Sequence, residues 1–162
     1  MPQVMDPPRI AQVLNDGKVA YIVVGGVAAT LHGSPRLTRD FDIVYQRTTT
    51  NYKALEIALK PHNPYLRGAP PGLPFSWDSE TIQRGLNFTL TTDLGDIDCL
   101  GEIVGGGGYE NLLPFAIPAT WTGVSCMILG LEKLIEVKRA AGRPKDIEAI
   151  SELEALLEEH LD

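Results

Sequence analysis

The sequence predicts an α/β domain in which strands and helices alternate and the chain finishes in two helices. Three observations predict it. A β-branched run, Tyr21 to Val24, stops at Gly25-Gly26 and gives way to a short helical segment. A second strand carries Asp40 and Asp42 with Phe41, Ile43 and Val44 interleaved, so that period-two alternation puts both carboxylates on one face. The C-terminal part, 129–162, repeats its apolar residues at helical spacing.

The elements follow in order. Asp6 caps a first helix, Pro7 fits its opening turn, Ile10, Val13 and Leu14 supply its apolar stripe, and Gly17 ends it. After the strand Tyr21 to Val24, a helical segment runs from Val27 to His32 and stops at Gly33. The Asp40-Asp42 strand leads to a helix from about Asn51 to Leu59, which Pro61 terminates. From Pro61 to Asp78 come five prolines (61, 64, 70, 71 and 74) with Tyr65, Arg67, Phe75 and Trp77, and no regular element is expected at that density. Two readings of this segment are open. Its aromatics pack as a stiff cover over the sheet, or Arg67, Tyr65 and Trp77 border a base or acceptor pocket.

Asp78 caps a short helix ending near Gly85, and Leu86 to Thr92 then forms a hairpin with Asp96 to Leu100 across the turn Asp93-Leu94-Gly95. Gly105 to Gly108 lacks the Gly-Lys-Ser or Gly-Lys-Thr of a phosphate loop and reads as a flexible connection. Pro114 to Ile128 reads as a second hairpin turning at Thr122-Gly123, which widens the sheet or lies at its edge. Leu129 to Ala141 is a helix closed by Gly142, and Pro144 opens the last one. The apolar stripe of that last helix, Ile147, Ile150, Leu153, Leu156, Leu157 and Leu161, is expected to cover the sheet.

With 162 residues and 44% hydrophobic content the chain is read as one domain, with a core over about 1–128 and a helical part over 129–162. No apolar run approaches the roughly 20 residues that span a bilayer, and the N-terminus has neither a basic region nor an apolar signal core. The expectation is a cytoplasmic protein with no membrane partner. Cys99 and Cys126 sit in apolar runs and read as buried small hydrophobes, while His32, His62 and His160 propose no zinc site. The net charge of -7 is uneven, because 146–162 holds seven acidic and no basic residues, leaving 14 of each sign in the rest. A local positive surface around Arg36, Arg39 and Arg47, or around Lys133, Lys138, Arg139, Arg143 and Lys145, is therefore compatible with a phosphate-bearing partner.

Asp40 and Asp42, about 6–7 Å apart along a strand, repel one another unless they share a cation, and hard oxygen donors select Mg²⁺ or Mn²⁺. Taken alone, such a pair reads first as the solvated face of a strand. The glycines Gly25 and Gly26 let backbone N–H groups approach an anion closely. A hydrophobic strand, Gly-Gly, a spacer and Asp-hydrophobic-Asp together resemble the DNA polymerase β superfamily of nucleotidyltransferases. That resemblance implies a mixed twisted sheet flanked by helices, with a third carboxylate on a later strand. Asp98, in the setting Ile97-Asp98-Cys99-Leu100, matches it, with Asp96 as the alternative. The segment 138–146, KRAAGRPKD, further resembles the C-terminal motif of AbiEii-like nucleotidyltransferases, in which a helix lysine and a downstream aspartate lie beside the nucleotide. The matching positions are Lys138 and Asp146. In the other reading, Arg143, Lys145 and Asp146 staple the two helices together.

The resemblance implies transfer of a nucleoside monophosphate from an NTP to a hydroxyl, with pyrophosphate leaving. Asp40, Asp42 and Asp98 would hold Mg²⁺ or Mn²⁺, Gly25, Gly26, Arg39 and Lys138 would bind the nucleotide, and Asp146 would orient it or act as a base. Gly26 stands where serine is frequent, so a hydroxyl contact to phosphate is lost. The chain also lacks the long helical extension that larger toxins use, which leaves the acceptor open among RNA, a protein side chain and a small molecule such as an aminoglycoside. Two other readings stay open: an antitoxin-like nucleotidyltransferase that modifies a toxin partner, and a catalytically silent nucleotide-binding module.

Overall fold

The computed structural model describes residues 4–161. In chain order the elements are α1 (Pro7–Asp16), β1 (Tyr21–Val24), α2 (Gly25–Leu31), β2 (Asp40–Tyr45), α3 (Thr49–Leu59), β3 (Tyr65–Leu66), α4 (Ser79–Arg84), β4 (Asn87–Thr92), β5 (Gly95–Leu100), β6 (Glu102–Ile103), β7 (Gly107–Gly108), α5 (Tyr109–Leu112), β8 (Ala116–Trp121), β9 (Val124–Leu129), α6 (Leu131–Ala141) and α7 (Pro144–Leu161). Local chemistry accounts for the helix ends. The Asp6, Thr48 and Asp78 side chains each accept a hydrogen bond from a first-turn backbone N–H, and Gly142 closes α6 at φ 65°.

Seven strands form a mixed sheet in the order β3-β4-β5-β2-β1-β9-β8. β1 runs antiparallel to β2 and parallel to β9, whereas β2 and β5 are parallel neighbours. All four residues of β1 are buried, as a central strand covered on both faces requires. Along β4 and β5, Phe88, Leu90, Ile97 and Cys99 alternate into the core, which turns Asp96 and Asp98 to the opposite face. Trp77 donates from Nε1 to the Leu55 carbonyl of α3 at 3.0 Å and meets Phe88 edge-on, so α3 and the proline-rich segment cover the core face. Asn51 ties the strand ends together. Its Oδ1 accepts from the Ala20 N–H at 2.7 Å, and its Nδ2 donates to the carbonyls of Ala20 and Gln46.

Three expectations are corrected. The proline-rich segment does contain a regular element, β3, whose two residues pair with β4 because Tyr65 and Leu66 fall between Pro64 and Pro70 and so keep their N–H groups. Gly107 and Gly108 do not form a loose link, since they pair with Glu102 and Ile103 in a small hairpin that packs on α6, where a Cβ on Gly105 would lie 2.3 Å from Ala140 Cβ. Finally, α7 packs chiefly against α6 instead of on the sheet, with Ala149 and Leu153 buried and Ile147 left 60% exposed. The second hairpin forms as β8–β9, with β8 at the sheet edge. Both cysteines are free, Cys99 buried and Cys126 partly so.

Candidate metal and nucleotide site

Two adjacent parallel strands build the centre of the site. β2 and β5 are in register with Asp40 opposite Asp96 and Asp42 opposite Asp98, so alternation projects all four carboxylates from one face. Ligand oxygens of Asp40, Asp42 and Asp98 lie within 4.8 Å of one another. The structure thus brings together the three residues the sequence proposed and separates Asp98 from Asp96 as the third member. Among the described residues no other group of three His, Cys, Asp or Glu side chains converges in this way.

Asp42 is the innermost member. Its Oδ1 is buried without a hydrogen-bond partner among the described residues. Burial, followed by the charges of Asp98 and Asp40, pushes its carboxyl up to about 7, with Arg67 opposing. Burial and then Asp98 raise Asp40 as well. An orphaned buried oxygen beside two further carboxylates is a donor set that a hard divalent cation satisfies, and the all-oxygen chemistry fits Mg²⁺ or Mn²⁺ rather than zinc.

Gly25 makes room for this arrangement. It sits at φ 65°, and a Cβ there would lie 2.3 Å from Asp42 Oδ2. A Cβ on Gly26 would come within 2.6 Å of Thr38 Oγ1, which keeps the loop before β2 against the start of α2. The two glycines therefore permit close approach of the Asp42 and Thr38 side chains.

Lys138 and Asp146 meet beside this centre. Lys138 Nζ lies 3.9 Å from Asp146 Oδ1, and the lysine is largely buried on α6. Burial pushes the Lys138 ammonium down, and the charges of Asp146 and Asp42 oppose the shift. Asp146 is 2% exposed and accepts from Arg143 Nε at 2.6 Å and from the Arg143 backbone N–H at 3.2 Å. Burial alone would raise its carboxyl, but the Arg143 hydrogen bonds and the Arg143 and Lys138 charges outweigh burial and hold it below the ordinary value. Asp146 thus bonds Arg143 locally at the start of α7 and reaches Lys138 of α6, while also lining both clefts.

Two clefts meet at Asp42, Lys138, Arg143 and Asp146. One, of about 360 Å³, is walled mainly by apolar residues, among them Leu100, Ile103, Leu134 and Val137. The other, of about 280 Å³, is bordered by Arg36, Arg39 and Lys145 along with Asp40. Arg36 is paired with Glu152 at 2.8 Å across this second cleft. Arg39 is exposed at its rim. Arg47, by contrast, lies away from both, bonded to Tyr45 Oη and to carbonyls of α4.

Arg67 is the member whose place the sequence did not reveal. Its side chain enters the carboxylate cluster, with Nη2 donating to Asp98 Oδ1 at 2.6 Å and Nη1 standing 3.8 Å from Asp40 Oδ2. Its signal was a lone cation in a proline-rich stretch, 31 residues before Asp98, and only the pairing of β3 with β4 carries it there.

No family model matches the chain, and no curated protein does. Among solved structures, one from Thermotoga maritima described as a "putative nucleotidyltransferase" superposes with a TM-score of 0.56 at 17% identity, covering 97% of each chain. The fold is nucleotidyltransferase-like. At that identity the likeness speaks for the arrangement of strands and helices, and the chemistry must come from this chain's own residues. Among the described residues no helix is long and apolar enough to cross a membrane.

Proposed function

We propose that this chain is a divalent-metal-dependent nucleotidyltransferase that moves a nucleoside monophosphate from an NTP to a hydroxyl and releases pyrophosphate. The observation that carries the reading is the convergence of Asp40, Asp42 and Asp98 around a buried, unpartnered Asp42 oxygen. Bound Mg²⁺ or Mn²⁺ would supply charge neutralisation at the phosphates and acidify the acceptor hydroxyl. The rest is work for this chain's side chains. Lys138, held by its packed stem and by Asp146, offers a cation to the phosphates at the junction of the two clefts. The apolar cleft has the wall chemistry for a base and sugar, and Arg39 and Lys145 at the border of the other give it that for a phosphate-rich acceptor.

That cationic border supports RNA as the acceptor, in line with the AbiEii-like toxins that the Lys138–Asp146 segment resembles. The exposed acidic and apolar surface of α7 is the feature that would suit an antitoxin-like role with a protein partner. Transfer of α-labelled ATP, GTP, CTP and UTP to total RNA and to lysate protein, with Asp40→Ala/Asp42→Ala as control, tests these readings together. Label in RNA that disappears in the double variant is the expected result. Label in protein alone points to the antitoxin-like role. NTP binding without label in either fraction contradicts transfer to a macromolecule and favours a small-molecule acceptor or a silent nucleotide-binding module.

A further inference from the structure

Arg67 reaches the carboxylates from the neighbouring edge of the sheet. Its backbone is fixed just beyond β3, where its N–H donates to the Thr89 carbonyl at 2.9 Å. From there the side chain crosses β4 to β5 and β2. It can cross because the residues facing that way on β4 are short: Thr89 and Thr91 stand opposite Asp98 and Asp96 in the register. Nη2 then bonds both Asp98 Oδ1 at 2.6 Å and the Leu90 carbonyl at 2.7 Å. Nε stands 3.3 Å from Asp96 Oδ2 but out of hydrogen-bonding alignment. One guanidinium thus faces three carboxylates, of which Asp40 and Asp98 also belong to the metal-binding triad.

The guanidinium and a divalent ion would draw on the same carboxylate. Sharing Asp98 would place them about 4–5 Å apart, given metal–oxygen and N–H···O lengths. At that separation the two cations repel one another, and a metal bond to Asp98 Oδ1 would compete directly with the Nη2 hydrogen bond at 2.6 Å. Arg67 is 29% exposed at its side chain and so has solvent to move into. Asp42 Oδ1, deeper in the site, receives no bond from it.

Resting on the reading of the triad as a metal site, we propose that Arg67 is an internal counter-cation that a divalent ion must displace from Asp98. Metal binding and release of the Arg67 side chain are then one linked event. The ion binds more weakly than bare carboxylates would hold it, and the strand-borne acids do not repel one another when it leaves.

Binding of Mn²⁺, followed by the electron spin resonance of the free ion with Mg²⁺ as competitor and no nucleotide, tests this in the wild type, Arg67→Gln, Arg39→Gln and Asp42→Asn. Thermal midpoints are read alongside. Arg67→Gln is expected to bind Mn²⁺ about tenfold tighter, to melt lower without the ion, and to gain more from it than the wild type does. Arg39→Gln, which removes a charge at the cleft rim, is expected to change affinity far less. Equal affinity in Arg67→Gln and wild type, with binding lost in Asp42→Asn, overturns the displacement and leaves the metal site standing. Equal tightening in Arg39→Gln also overturns it, because general charge would then explain the effect. Absence of Mn²⁺ binding in both wild type and Arg67→Gln overturns the displacement and the metal reading together. Should Arg67→Gln fail to fold, the Arg67 Nε–H resonance of the wild type decides. A shift to solvent-like exchange on adding Mg²⁺ supports release, and an unchanged resonance at saturating Mg²⁺ contradicts it.

Discussion

Asp42 and Asp98 face each other across two parallel strands, Cα opposite Cα, in the register that also sets Asp40 beside Asp96. Because β2 and β5 are not consecutive in sequence, this pairing converts two separate Asp-x-Asp stretches into one cluster. A slip of one residue would turn the Asp98 side chain into the core.

Asp42 sets the response to pH. Its carboxyl is raised in the folded protein to about 7 from an ordinary 3.8, so the native state holds a proton that the unfolded state releases. The associated stability is fully present below the unfolded value and is lost as pH rises through about 7. Asp42→Asn removes that loss, and the variant should be more stable than the wild type at pH 8 without added metal. Chemical denaturation of both proteins at pH 5 and pH 8 checks it. In the wild type, Mn²⁺ affinity should climb as pH rises through about 7 and level off above it.

Asp98 and Asp96 should separate in turnover. Asp98 belongs to the converging triad, and Asp96 does not. Asp98→Asn is expected to lower nucleotide transfer by about 10²-fold or more, the scale of losing one charge-stabilising group, while Asp96→Asn keeps most of it. Initial rates at saturating Mg²⁺ read the difference.

Gly25→Ala should damage fold and site together. The left-handed backbone costs an alanine about 1–2 kcal/mol, and its Cβ would collide with Asp42 Oδ2 at 2.3 Å. The expected outcome is a lower thermal midpoint together with weakened Mn²⁺ binding. Gly68→Ala, also at positive φ but with nothing within 4 Å of its Cβ, should lose stability alone.

Asn51→Ala should be among the most destabilising substitutions away from the site. It would leave the Ala20 N–H and the Ala20 and Gln46 carbonyls without their side-chain partner in a buried setting. A loss of about 2–4 kcal/mol by urea denaturation is expected, from the cost of orphaned buried polar groups. Metal affinity of the folded fraction should be unchanged.

The legible parts were those encoded locally. The caps at Asp6 and Asp78, the alternation of Asp40 and Asp42, the hairpin turning at Asp93 to Gly95, and the Gly142-Pro144 break all act within a few residues, and each appears where the sequence placed it. Contacts between distant segments were not legible. Arg67 reaches Asp98 only because an edge strand of two residues forms inside a proline-rich segment, and no periodicity marks so short a strand. The stripe on α7 showed that a partner was needed without saying which, and α6 rather than the sheet supplies it. Gly25 was identified for the approach of an anion, whereas the clash of its Cβ with Asp42 could be seen only once β1 and β2 were paired.

The most direct test of the carboxylate cluster as a nucleotide-transfer centre is a paired labelling experiment, in which the same NTP carries its label at the α- or the γ-phosphate and is incubated with the protein, Mg²⁺ and total RNA. The account predicts α-label retained on the acceptor, γ-label recovered only in pyrophosphate, and both signals abolished in Asp40→Ala/Asp42→Ala. Retention of the γ-label on the acceptor would mean phosphoryl transfer instead, and α-label incorporation that survives the double substitution would remove Asp40 and Asp42, and with them the triad as a unit, from the chemistry.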